Sequence, residues 1–202
     1  MTSGEGVVQA APDRAFITVV TESRAANPRE AQARNTQLMK PVQDKLRGLG
    51  IPADAIRTLS YDLHQEFDFP NGRRVAKGFV AINSVEVRVD AIDRLGELLD
   101  VVVTAGATSI NDIRFDLKDR AKLERDAVRL AVADARARAE SAGAGAGATL
   151  DRIVRIEEHG VIAPPMPMAR MAMQERAQAA DVPVSAGQIE LRARVSLTMS
   201  LR

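Results

Sequence analysis

Leu59-Ser60-Tyr61-Asp62-Leu63-His64-Gln65-Glu66-Phe67-Asp68-Phe69 is followed by Pro70-Asn71-Gly72, and then by Val75, Phe79, Ala81, Val85, Val87 and Val89 at odd positions. Apolar groups at every second residue make one face of a strand. Pro-Asn-Gly between two such runs is turn chemistry, so the stretch reads as an antiparallel hairpin. Each arm is longer than ten residues, roughly 35–40 Å at ~3.3 Å per residue. That exceeds most strands, and part of the hairpin is expected to protrude from the body of the domain.

Upstream, Gly4 to Ser23 reads as strand, broken at Pro12-Asp13. Phe16, Ile17, Val19 and Val20 place apolar groups on both faces, the pattern of a central strand. Asn27-Pro28-Arg29-Glu30 starts a helix, with Asn27 as N-cap and Pro28 in the first position. Ala31, Leu38, Val42, Leu46 and Leu49 form its apolar face, and it ends at Gly48 or Gly50. Pro41 lies inside it and removes one backbone hydrogen bond or kinks the axis. Downstream, a second helix starts at Asp90 or Asp93, turns Leu95, Leu98, Leu99 and Val102 inward, and stops at Gly106. A short strand follows, with Ile113, Phe115 and Leu117 on one face. A third helix runs from about Asp119 to Ala142. Its stripe of Val128, Ala131, Val132, Ala135, Ala139 and Ala142 is narrow and small, which permits close approach to a neighbour. Gly143 to Ala148 then unwinds it. Leu150–Glu158 is a further strand. In the last, Ile189, Leu191, Ala193, Val195, Leu197, Met199 and Leu201 alternate without exception with polar residues, giving one wet face.

Composition bounds the function. The chain has 202 residues, 46% of them hydrophobic and 27% charged, which is globular and large enough for a core. Lys and Arg number 28 and Asp and Glu 27, for a net charge of +1. Nucleic acid is therefore not an expected partner. With no cysteine, disulfides, thiol nucleophiles and Cys-based metal sites are excluded, while cytosol and periplasm are equally compatible. No run of ~18 apolar residues is present, so no transmembrane segment is expected. Met1 leading directly into Thr2-Ser3-Gly4-Glu5-Gly6 reads as a start placed on an already mature end, without a signal peptide.

Few residues suggest chemistry. His64 stands between Asp62 and Glu66 on the polar face of the hairpin, a trio that could make a shallow divalent site or a solvated face. His159 follows Glu157-Glu158 at a strand end and carries the same two readings. Asn35 falls on the apolar side of the first helix, where a buried amide bonded to a neighbouring strand is the ordinary role and a ligand contact the other. The Gly-Ala run at 143–148 follows a helix and lacks a Lys-Ser/Thr, so it is not a phosphate loop. No nucleophile–base pair can be named. No catalytic, cofactor-binding or metal-ligating residue is assigned, and no cofactor is expected. Met166, Met168, Met171 and Met173 crowd into a proline-rich tract. Three readings stay open for it: a soft-metal site for Cu(I), an adaptable contact surface, or a loop kept irregular by its prolines.

Ser3-Gly4-Glu5-Gly6 with Ala10-Ala11-Pro12-Asp13-Arg14-Ala15 resembles the opening of the SIMPL-domain family of bacterial cell-envelope proteins. The resemblance continues in register through Leu95-Gly96-Glu97-Leu98-Leu99-Asp100, Ala105-Gly106-Ala107, Ile110-Asn111, the segment Ala131 to Ala139, and Pro165-Met166-Pro167-Met168. Two places depart from it: the Gly-Ala run, where a Leu-rich helix end is expected, and Pro41, where a helix former is expected. The resemblance implies an α+β fold, in keeping with the elements above: a mixed, largely antiparallel sheet with a long hairpin and three helices packed on it. One domain over 1–202 is expected, with 160–187 as a connection. The recurring helix–Gly–strand unit is also compatible with two interleaved subdomains. The resemblance further implies a periplasmic or outer-membrane-associated protein, normally made with a signal peptide, with links to oxidative stress and immunogenicity. Homo-oligomers, ring-like in form, are implied as well, and no enzymatic activity. The expected function is self-assembly in the cell envelope; the alternative is a module binding copper or a small ligand through the methionine tract.

Overall fold

A computed structural model describes residues 1–162 and 186–202. In chain order its elements are β1 (Thr2–Ala10), β2 (Arg14–Ala25), α1 (Pro28–Gly48), β3 (Ile56–Asp68), β4 (Val75–Val89), α2 (Leu95–Ala105), β5 (Ser109–Asp116), α3 (Arg120–Gly145), β6 (Leu150–Ile162) and β7 (Ile189–Leu201). Among the described residues helix makes up 38% and strand 46%, so neither class dominates and the fold is α+β. Every strand pair is antiparallel among the described residues. The strands are divided between two sheets, ordered β1-β7-β6 and β3-β4-β2-β5. The chain forms two compact units on these sheets, one with β1, α3, β6 and β7 and the other with β2 through β5.

In the larger unit, α1 begins where the sequence asks it to. The Asn27 side chain accepts from the Glu30 N–H at 2.9 Å, and Pro28 occupies the first turn. The helix turns Ala31, Asn35, Met39, Val42 and Leu46 inward. It continues through Pro41 because Pro41 and Gln37, whose carbonyl loses its partner, both face water. α2 buries the four expected residues and ends on Gly106 at φ 118°, the left-handed conformation that glycine adopts freely. Both helices pack on one face of the sheet, against Ile17, Val19, Val85, Val87 and Val89. Of β3 only Ile56 packs against this core; the rest of the strand runs out along β4 as a sheet edge.

In the other unit, α3 lies on β1 and β7. Its buried stripe is Ala127, Ala131, Ala135, Ala139 and Gly143, one residue every four. Val128 and Val132 flank that stripe, and Ala142 is exposed. The helix runs past Ala142 to Gly145, so the Gly-Ala run supplies its last turn and does not unwind it at once. β7 faces the helix with Ala193, Val195 and Leu197. Leu117 does not share a strand face with Ile113 and Phe115. β5 ends at Asp116, and Leu117 packs with Ile189 and Leu191.

Candidate functional site

The exposed arm of the long hairpin is the feature that the fold does not explain by itself. Among the described residues β3 pairs only with β4, from Ile56 opposite Val87 to Asp68 opposite Val75, so within them its outer edge offers unpaired backbone groups. Leu59 and Tyr61 are each 46% exposed and Leu63 is 36% exposed. The alternation seen in the sequence is real, but among the described residues nothing buries its apolar row. A second edge strand among the described residues is β6, where Ile153, Val154 and Ile156 are exposed.

The polar candidates have partners. His64 Nδ1 lies 2.5 Å from Asp62 Oδ2, but Glu66 is drawn away to Arg24, 3.3 Å from it. The trio is thereby split, and among the described residues no cluster of three acids or histidines could hold a metal. His159 Nε2 meets Ser196 Oγ at 2.8 Å across the β6–β7 pair. This contact was not legible in the sequence. Only the register, which sets Glu157 opposite Ser196 and hence His159 on the same face, brings the two together. Ser196 is buried on the face that alternation marks as wet, with His159 against it. Glu157 pairs with Arg155. Asn35 is 1% exposed and is fully used. Its amide donates to the carbonyls of Thr21 at 2.8 Å and Ala81 at 2.9 Å, and its oxygen accepts from the Thr21 hydroxyl at 3.3 Å. It fastens α1 to β2 and β4, which is a structural task.

The opening Ser3-Gly4-Glu5-Gly6 has a distinct physical reason. Gly4 and Gly6 share one face of β1 and lie directly on the α3 backbone. A Cβ on Gly6 would sit 2.5 Å from the Ala131 nitrogen and would overlap the Ala127 carbonyl oxygen; one on Gly4 would sit 2.8 Å from Ala135 Cα. Strand glycines and helix alanines thus interlock at backbone distance. The Glu5 N–H donates to Asp134 Oδ2 at 3.0 Å, and the Thr2 hydroxyl to the Ala135 carbonyl at 3.0 Å.

The Glu5 N–H, and then Arg138, hold the Asp134 carboxyl below the ordinary aspartate value. A depressed carboxylate pKa contributes stability that is complete above the unfolded value and is lost as pH falls through the folded one. Asp134→Asn is therefore expected to flatten the decline of melting temperature between neutral pH and the acidic side of the aspartate range. An unchanged slope would show that Asp134 does not couple β1 to α3.

An open groove of about 970 Å³ lies between α1 and α2. Its charged residues, Lys40, Asp44, Lys45 and Asp100, come in both signs and set up no field for a charged ligand. No helix among the described residues is long and apolar enough to cross a membrane. Met166, Met168, Met171 and Met173, and with them the copper reading, lie outside the described residues.

Comparison with known proteins follows the same lines. A family model described as SIMPL, protein of unknown function (DUF541), matches residues 1–199. The 26 kDa periplasmic immunogenic protein of Brucella abortus (strain S19) is 28% identical over 99% of this chain and 83% of its own length. The uncharacterized protein YggE of Escherichia coli (strain K12) is 25% identical over 92% of this chain and 74% of its own. YggE of Edwardsiella ictaluri (strain 93-146) is 28% identical over 85% of this chain and 72% of its own.

Proposed function

The chain belongs to the SIMPL family, a family of unknown function, and from that premise we propose that it is a non-enzymatic periplasmic protein that acts by assembling with copies of itself. The periplasmic placement rests on the name of the Brucella relatives, a periplasmic immunogenic protein. Association with the outer membrane and a role in oxidative stress are part of the proposal and rest on the family resemblance.

The observation that carries the assembly reading is the free edge of β3. Natural sheets blunt their edges with charges, prolines or bulges. β3 carries bulges, but between them it sets Leu59, Tyr61 and Leu63 in the open beside its unpaired backbone groups. A strand from another copy would satisfy those groups and bury that row, the mode of strand addition. Bulges near Ser60 and Phe67 divide the edge into short segments and limit growth.

Tyr61→Lys with Leu63→Lys tests this. The edge then carries two lysines on its exposed row, and edge lysines oppose pairing. The variant is expected to lack the oligomer expected of the wild-type chain while keeping its melting temperature, since neither side chain is buried. An assembly that survives both lysines would remove β3 from the interface.

A further inference from the structure

We propose that the tip of the β3–β4 hairpin is an interfacial anchor for an anionic lipid surface. The proposal deepens the membrane part of the reading above by naming the segment that makes the contact, and it does not depend on assembly.

The tip presents apolar groups that the fold does not use. Phe69 is 61% exposed and Val75 is 48% exposed, at the far end of two strands that have already left the core. The turn that carries them is well defined. The Phe69 N–H donates to Asp68 Oδ1 at 2.9 Å, and the Arg73 N–H to the Pro70 carbonyl at 3.0 Å. Asn71 at φ 53° and Gly72 at φ 77° close it in the left-handed region that these two residue types favour. A preformed tip loses less entropy on docking than a disordered one.

Arg73, Arg74 and Lys77 follow within five residues of the turn. The Arg74 guanidinium lies 3.5 Å from the centre of the Phe67 ring, which holds it beside the aromatic patch. None of the three has an ion-pair partner among the described residues. Elsewhere in the same sheet guanidinium groups are tied: Arg14 to Asp90, Arg24 to Glu66, Arg57 to Glu86, Arg88 to Asp54. Three cations therefore face one local carboxylate, Asp68, because Glu66 is already occupied by Arg24. Aromatic and aliphatic groups flanked by Arg and Lys fit the bilayer interface, where rings enter the headgroup layer and cations stay with lipid phosphates. The tip of a second copy would bring the same positive charge and be repelled, so charge favours the lipid.

The test uses the full chain with phosphatidylcholine vesicles, with and without one-third phosphatidylglycerol. Binding is expected on the mixed vesicles, weaker binding on phosphatidylcholine alone, and a decline with added salt. Arg73→Ala, Arg74→Ala and Lys77→Ala together are expected to weaken it about a hundredfold, from roughly fivefold per cation near the surface. Phe69→Ser alone is expected to weaken it about tenfold, by removing its apolar insertion. Both variants change exposed groups only, and unchanged thermal unfolding checks their folds. Equal binding to both vesicle types, or full binding by both variants, would overturn the proposal. So would a triple variant that changes the oligomeric mass and leaves vesicle binding intact, which would make the tip a contact between copies. A monomer that still prefers phosphatidylglycerol would end the assembly reading and leave the anchor standing.

Discussion

Gly6→Ala will destabilise the unit built on β1, α3, β6 and β7 by about 3 kcal/mol, seen as a fall of roughly 15 °C in its melting temperature. The new methyl group has nowhere to go. Its nearest neighbours are the Ala127 carbonyl and the Ala131 nitrogen, both in the backbone of a long helix, so no side chain can swing aside. β1 is also fixed by its register with β7, Gly6 opposite Ala193, and cannot slide to make room. Separating strand from helix would give up the Glu5–Asp134 bond and the Thr2–Ala135 bond as well. Two comparisons make the claim specific. Gly145→Ala, at a helical glycine with open space around it, should be neutral or slightly stabilising. Adding Ala131→Gly to Gly6→Ala should rescue nothing, because the clash is with backbone. Wild-type melting in Gly6→Ala would mean that β1 does not approach α3 this closely.

Asn35→Ala is the second large effect, about 3 kcal/mol. The substitution leaves a hole at a site that is 1% exposed and deprives the Thr21 hydroxyl and two strand carbonyls of their partner at once. A buried polar group without a partner costs more than the hydrogen bond itself is worth. Asn35→Asp should be worse, because both amide donors become acceptors facing carbonyl oxygens. If Asn35 were a ligand contact, stability would hardly move while binding changed. A melting curve therefore separates the two roles.

These two sites also mark what could and could not be read in advance. The hairpin, the cap at Asn27, the four inward residues of α2 and the alternation of β7 are local patterns, and period, cap and turn chemistry give them directly. Pro12-Asp13 was visible as a break. That the chain passes there from one sheet to the other was not, because an alternating strand carries no mark of which sheet it joins. The pattern groups Leu117 with Ile113 and Phe115 for the same reason; a period of two cannot show that the chain has left the strand. Helical spacing alone selects Val128, Ala131, Val132, Ala135, Ala139 and Ala142 as the α3 stripe. The buried set is Ala127, Ala131, Ala135, Ala139 and Gly143, because Gly4 and Gly6 admit the helix backbone along a row of every fourth residue. That selection is made by residues about 120 positions away, beyond any local window.

For the candidate site the limit is of another kind. The exposed row on β3 is legible as a pattern, but the same pattern describes a buried strand. Only the structure shows that α1 and α2 cover β2 and the near part of β4 and leave Tyr61 and Leu63 open. The His159–Ser196 contact needed the β6–β7 register, whose several irregularities defeat simple counting. Cysteine content and charge balance, by contrast, are properties of composition and bounded the chemistry from the start.

Self-assembly through the β3 edge is the central claim, and oligomeric mass tests it most directly. Size-exclusion chromatography with light scattering at micromolar concentration should give a mass several times that of one chain for the wild type, and a lower mass for Tyr61→Lys with Leu63→Lys. A clean monomer for the wild-type protein would contradict it.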